Sequence, residues 1–408
     1  MIKAFLALAI SVFGAVARAQ EKPTFSLEEA VALALKQNPE VLAARRQVEQ
    51  AHGKKSQASS PDQPELSFSW EKIPPSGSFS LAGDRIIEIG QNLELPHKLL
   101  LRRSAAGRDV EIAYENLERA KVMVAAQVKK TYYQVYFQQK QLESLEFTAG
   151  LLRQFLEATL SKYQAGGLAY FEVVRAKVEV AKTENEIIGA RAELTSAETD
   201  FNLVLGRTGS EDFDLTDKPF FVPYVKSKDE TVRELLKKSR TLKIAQLAKE
   251  RESRNLKLAR WSLVPDLKLT GGFQSEAGGE FRPNVGVGFS LPLWWWGPKG
   301  GITENRASLQ ISEIRQEALN RVIAGEIERR YSLVKAAEGQ MSLFEKSLLR
   351  EVDEELKAGI NAYQYNQIEA LNLLDIYRTV KTTRIEYYKA FLNYLSALVD
   401  LETAGEEK

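Results

Sequence analysis

Imidazoles, thiols and closely spaced carboxylates are the side chains that most often carry chemistry, and this sequence offers little of it. His52 lies in a polar helical stretch and His97 directly follows Pro96. Neither has a serine, an aspartate or a second histidine at a spacing that would build a nucleophile-base pair or a metal site. With 2 histidines, 3 methionines and 0 cysteines, the chain has almost nothing from which to make a soft-metal centre. It has no disulfide framework, no thiolate and no cysteine for a lipid anchor. Gly297-Pro298-Lys299-Gly300-Gly301 lacks the strand-to-helix spacing and the Lys-Ser/Thr end of a phosphate loop. Tyr132, Tyr133 and Tyr136 read as core and interface. The expectation is a non-enzyme without a cofactor.

The informative spacing is that of a turn written twice. Gly166 and Gly167 interrupt one long helical pattern, which resumes after Leu168. Asn366, Gln367 and Ile368 do the same 200 residues later. Glycine and asparagine are the residues that take the left-handed conformation ending a helix. Tyr163 and Tyr363 each precede their turn by three residues. The chain reads as a tandem duplication, each copy built on a helical hairpin.

The elements that hold these turns follow from periodicity. Lys3, an apolar run from Ala4 to Val16 and Ala17-Arg18-Ala19 form a secretory signal peptide, residues 1–19. Its removal turns a net charge of +1 into −1, and no basic stripe points to nucleic acid. The first repeat, residues 20–206, holds helices over 26–60, two alternating strands within 64–95 and long helices over 98–206. A linker covers 207–228. The second repeat, 229–408, holds helices over 229–263, strands within 265–291 and long helices over 301–404. Leu66, Phe68 and Trp70 alternate with Ser67, Ser69 and Glu71, and Val285, Val287 and Phe289 with Asn284, Gly286 and Gly288. Such strands have one oily and one wet face. The long helices carry heptad seams, the signature of coiled-coil packing, and at 1.5 Å per residue reach roughly 100 Å.

Strands of about ten residues cross a bilayer when tilted. Four cannot close a barrel, and an open edge leaves backbone groups unpaired in lipid. Three chains would supply twelve strands, so a homotrimer in contact with outer-membrane lipid is expected. Trp294, Trp295 and Trp296 suit an interfacial girdle.

Taken together, these stretches resemble the TolC-type outer-membrane efflux proteins over nearly all of the mature chain. Leu27 through Pro39 is similar to the family's opening motif, Tyr163 through Ala176 to its first helical tip, and Tyr363 through Thr379 to its second. Gly83-Asp84 through Pro96 and on to Arg102-Arg103 looks most like the branch that works with heavy-metal pumps. The fold implied is mainly α with a small β part: an α-barrel of coiled-coil hairpins below a twelve-stranded barrel. The function implied is passive conduction across the outer membrane of a Gram-negative bacterium, with the helices in the periplasm. An inner-membrane pump and a periplasmic adaptor would be the partners. A duct for type I protein secretion, or a periplasmic scaffold outside the membrane, are the alternatives. The tips Gly166, Gly167, Leu168, Asn366, Gln367 and Ile368 are expected to dock the adaptor. Asp375, nine residues past the second turn, is expected to form a ring of three carboxylates, with Asn372 one turn nearer the tip. The resemblance puts Tyr363 among the residues that hold this end closed. Glu172 and Arg175 occupy the equivalent places of the first repeat and are expected to pair with this set. The chain departs from the family in having Asn366 where the second tip usually has glycine. It also has Asn372 where an acid is common.

Overall fold

The computed structural model describes residues 22–73, 75, 77, 83–276 and 279–406. The signal peptide expected over residues 1–19 lies outside the described residues.

Capping residues set the opening. Ser26 accepts from the N–H of Glu29, and its own N–H donates to the Glu29 carboxylate, so a capping box starts α1 (Leu27–Gln37). Asn38 ends α1 and caps α2 (Pro39–Ala58), its Oδ1 accepting from Glu40 N–H at 2.8 Å. Pro39 at the first helical position loses no hydrogen bond there. The two-residue strand β1 (Thr24–Phe25) pairs in parallel with β4 (Asp214–Leu215) in the linker. Two residues are too few to alternate, so periodicity gives no sign of this pair.

α3 (Pro96–Gln164) runs unbroken for 69 residues. α2 and α4 (Tyr170–Leu205) both pack along it and meet head to tail. Asn38 Nδ2 donates to the Val204 carbonyl at 2.8 Å. Gly206, at φ +80°, sits so close that a Cβ would lie 2.9 Å from the Gln37 carbonyl oxygen, so both conformation and space demand glycine there. α5 (Lys228–Lys238), α6 (Arg240–Trp261) and α9 (Ala370–Glu402) repeat the arrangement. Here the Arg240 N–H donates to the Glu406 carboxylate at 2.9 Å, an anion at a helix N-terminus.

The second long rod differs in two ways. α7 (Trp296–Leu343) starts five residues before the expected position, residue 301. Pro298 falls in the first turn, where a missing N–H costs nothing. A π-helical turn, Phe344–Leu348, then separates α7 from α8 (Leu349–Gln364), giving stretches of 48, 5 and 16 residues. Before this turn the core positions Val124, Val128 and Val135 match Ile323, Ile327 and Val334, 199 residues on; after it Leu152 and Thr159 match Val352 and Gly359, 200 residues on. A π turn absorbs one additional residue, and it falls between the two registers.

The strands β2 (Glu65–Glu71), β3 (Asp84–Leu93), β5 (Leu267–Glu276) and β6 (Phe281–Phe289) form one antiparallel sheet in that order. The register places Phe68, Ile87 and Phe273 side by side on one face and Ser67, Glu88, Gly272 and Asn284 on the other. Gly272 cannot be replaced, because a Cβ would sit 2.1 Å from the Ile87 carbonyl oxygen. β2 and β6 are both edge strands. The apolar face is bare, with Val285 86% and Phe289 66% exposed. Lys98, almost wholly buried, joins rod to sheet by donating to the Val264 carbonyl and the Asp266 carboxylate, each at 2.8 Å. No helix of the described residues is long and apolar enough to cross a membrane.

Candidate functional site

Both helical tips end in the same way. The Gly167 N–H reaches back to the Lys162 carbonyl and the Gly166 N–H to Tyr163. Gln367 and Asn366 make the matching bonds to Ala362 and Tyr363. This 6→1, 5→2 pattern needs a left-handed residue, and Gly166 and Asn366 have φ of 76° and 56°. Gly166, Gly167, Asn366 and Gln367 are exposed, while Leu168 and Ile368 are half-buried.

The two preceding tyrosines part company. Tyr163 is 39% exposed and lies against Tyr170, with ring centroids 5.5 Å apart. Tyr363 is buried against Phe155 of α3 at 5.3 Å. Its hydroxyl lies 3.3 Å from Thr159 Oγ1. Thr159 already donates to the Phe155 carbonyl, so the tyrosine is the donor.

Asp375 is exposed and pairs with Arg378 at 3.0 Å. Arg378 turns its Nε and Nη2 to the Glu179 carboxylate of α4, at 2.9 and 2.8 Å. These bonds hold the Glu179 carboxyl below its ordinary range, outweighing the burial that opposes them. Asn372 is exposed one turn nearer the tip. Glu172 and Arg175 do not join this set. Arg175 lies over the Phe171 ring at 4.8 Å, and Glu172 Oε2 is buried with no hydrogen-bond partner among the described residues. Lys162 Nζ donates to the Tyr363 carbonyl at 3.0 Å and to Asn366 Oδ1 at 2.7 Å, and sequence reasoning missed Lys162, Glu179 and Arg378 as members of the site. Only Arg378, one turn beyond Asp375, carried a local signal.

The remaining candidates are dispersed. Trp294, Trp295 and Trp296 are each more than half exposed where β6 gives way to α7. His52 stands against Tyr114 and His97 against Trp261, with ring centroids 5.8 and 4.5 Å apart. No group of three or more His, Cys, Asp or Glu among the described residues is placed to hold a metal ion. What the geometry can do is position: it sets exposed turns at one end of rods about 100 Å long and a bare apolar sheet at the other.

The chain is 24% identical over 374 residues to the cobalt-zinc-cadmium resistance protein CzcC of Cupriavidus metallidurans, covering 89% of this chain and 85% of the relative. Its fold is that of the Vibrio cholerae outer membrane protein VceC, with a TM-score of 0.76 at 16% identity over 93% of this chain and 96% of the other. The CmeC outer membrane channel of Campylobacter jejuni matches with a TM-score of 0.75 at 16% identity, over 93% and 85%. The family model described as outer membrane efflux protein matches residues 30–207 and again 231–405. The chain is an outer-membrane channel protein of the outer membrane efflux protein family.

Proposed function

We propose that three copies of this chain form one passive conduit through the outer membrane, receiving substrates from an inner-membrane pump through a periplasmic adaptor. The sheet carries this reading. Four strands with two open edges and a bare apolar face are unstable alone in lipid, and edge-to-edge pairing of β2 with β6 of the next chain gives a closed twelve-stranded barrel. The helices support the same stoichiometry. α3 packs between α2 and α4 on one side and α6 and α9 on the other, whereas α7 packs on α6 and α9. The flank of α7 that corresponds to the one α3 turns to α6 and α9 carries exposed Ile314 and Val322, and a neighbouring chain's α2 and α4 would cover it. The two matches to the family model are read as two copies of one unit, joined by the linker.

The cargo proposed is divalent cobalt, zinc or cadmium, on the strength of the curated relative. The tips would meet the adaptor, and Tyr363, Asp375 and Asn372 would line the periplasmic gate with Glu172 and Arg175 nearby. The three tryptophans would sit at the membrane interface. Light scattering of the detergent-extracted protein should give the mass of three chains. Loss of the gene should sensitise cells to these metals. A monomer that fractionates without detergent would overturn the channel reading, and unchanged metal tolerance would overturn the cargo.

A further inference from the structure

The two repeats treat one groove differently. In the first, the chain leaving α4 returns as β4 and closes a groove between β1, α1 and α4. Phe213 is buried in it, with ring centroids 6.2 Å from Phe25 and 5.0 Å from Phe201. The Thr216 N–H donates to the Phe25 carbonyl at 3.1 Å, and the Tyr132 hydroxyl donates to the same oxygen at 3.3 Å. Asp217 fastens the end of the segment. Its N–H donates to the Tyr132 hydroxyl oxygen at 3.1 Å, and its carboxylate accepts from the Leu27 N–H at the start of α1 at 2.7 Å.

In the second repeat the walls of the groove stand open. Val225 and Lys226 hold the places of Thr24 and Phe25, and among the described residues no strand pairs with them. Val225 is 95% exposed. Tyr331, the counterpart of Tyr132, donates its hydroxyl to the Lys226 carbonyl at 3.2 Å, so the wall follows the same plan. Lys226, Leu398 and Leu401, with Thr231 and Leu235 of α5, line a groove of about 620 Å³, within the range of ligand pockets. Lys226 and Leu401 are the counterparts of Phe25 and Phe201, the two residues that hold Phe213.

The edge of this second groove differs in charge. Lys226 and Lys228 replace Phe25 and Leu27, and the Lys228 N–H opens α5 as the Leu27 N–H opens α1, at the positive end of a helix. Each lysine pairs with one carboxylate, Glu234 and Glu328. An ammonium carries three donors, so both lysines can take a further acid. We propose that this groove is a docking site for an extended segment of a partner protein. The segment adds to the Val225–Lys226 edge as a parallel strand, seats one aromatic side chain between Lys226 and Leu401, and presents acidic residues to Lys226, Lys228 and the start of α5.

The protein's own strand supplies the probe. A labelled synthetic peptide of residues 208–217, Thr-Gly-Ser-Glu-Asp-Phe-Asp-Leu-Thr-Asp, should bind the detergent-extracted full chain saturably in a fluorescence anisotropy titration. The expected stoichiometry is one peptide per chain, because the groove of the first repeat is already filled. Phe213→Ala in the peptide should weaken binding by roughly tenfold or more, as burial of an aromatic ring predicts, and Asp217→Asn should weaken it several-fold. In the protein, Leu398→Trp fills the groove and Lys226→Pro removes a ladder N–H. Each should abolish binding while light scattering shows the wild-type mass. A peptide that fails to bind, or that binds both variants as it binds wild type, overturns the proposal. Equal binding by the Phe213→Ala peptide overturns it as well, and that comparison needs no change in the protein. If wild type binds no peptide while both variants lose the mass of the assembly, the groove belongs to a second copy of this chain and the proposal falls.

Discussion

Arg378 on α9 grips Glu179 on α4 through two parallel hydrogen bonds of 2.9 and 2.8 Å, and thereby couples the second helical hairpin to the first. Lys381, one turn further along α9, reaches Glu186 at 2.8 Å in the same direction. A planar guanidinium facing a carboxylate fork to fork is the strong form of this contact, and the near-burial of Glu179 shields it from solvent.

Acid should weaken this coupling. The Glu179 carboxyl is held below its ordinary value of 4.5, so the stability it contributes is fully present above pH 4.5 and fades as pH falls through the depressed value. Glu179→Gln should lower the stability of the helical part at neutral pH by about 1–2 kcal/mol and flatten its acid dependence. Thermal melts across that acid range, compared with wild type, measure both effects. A variant as acid-sensitive as wild type would assign the sensitivity to other carboxylates.

The orientation of the sheet is open to direct test. Val287, 62% exposed on the apolar face, should tolerate no charge. Val287→Asp is expected to cost about 2 kcal/mol near mid-bilayer and to reduce trimer yield. Asn92→Asp, on the polar face opposite Lys268, should leave yield unchanged. Equal yields from the two variants would reverse the faces.

Docking depends on the turn backbone. A Cβ at Gly166 meets nothing within 4 Å, so the strain of Gly166→Val comes from φ +76° alone and amounts to about 1–2 kcal/mol. The barrel should fold and insert normally while export fails. Normal export by this variant, measured as metal tolerance in complemented cells, would place adaptor contact elsewhere.

The gate prediction concerns charge. Three copies of Asp375 around one axis would favour cations in the passage, and exposed Asn372 adds none. Asp375→Ala should lower cation preference and block by multivalent cations. Tyr363→Phe, which removes the hydroxyl donated to Thr159, should raise conductance. Planar-bilayer recordings read both quantities, and unchanged currents from the two variants would move the gate away from this end.

Local rules made much of this molecule legible in its sequence. The alternation of Leu66, Phe68 and Trp70 and the left-handed turns at Gly166 and Asn366 depend on a residue and its near neighbours, so they could be read in one dimension. The caps at Ser26 and Asn38 are local in the same way. Heptad seams announced that the long helices pack, because a stripe every 3.5 residues must face another helix. Such a stripe does not name its partner. That Arg378 meets Glu179, that Lys162 meets Asn366, and that Tyr363 is buried while Tyr163 is not were decided by α3 packing against both repeats. The π turn at Phe344–Leu348 stayed hidden for a related reason. One surplus residue leaves composition and period almost unchanged, and it shows only when the buried positions of the two rods are laid side by side. Sequence determined the elements and their two oily surfaces; the meeting of residues some 200 positions apart belonged to the tertiary structure, because side chains pair by where the packed rods bring them.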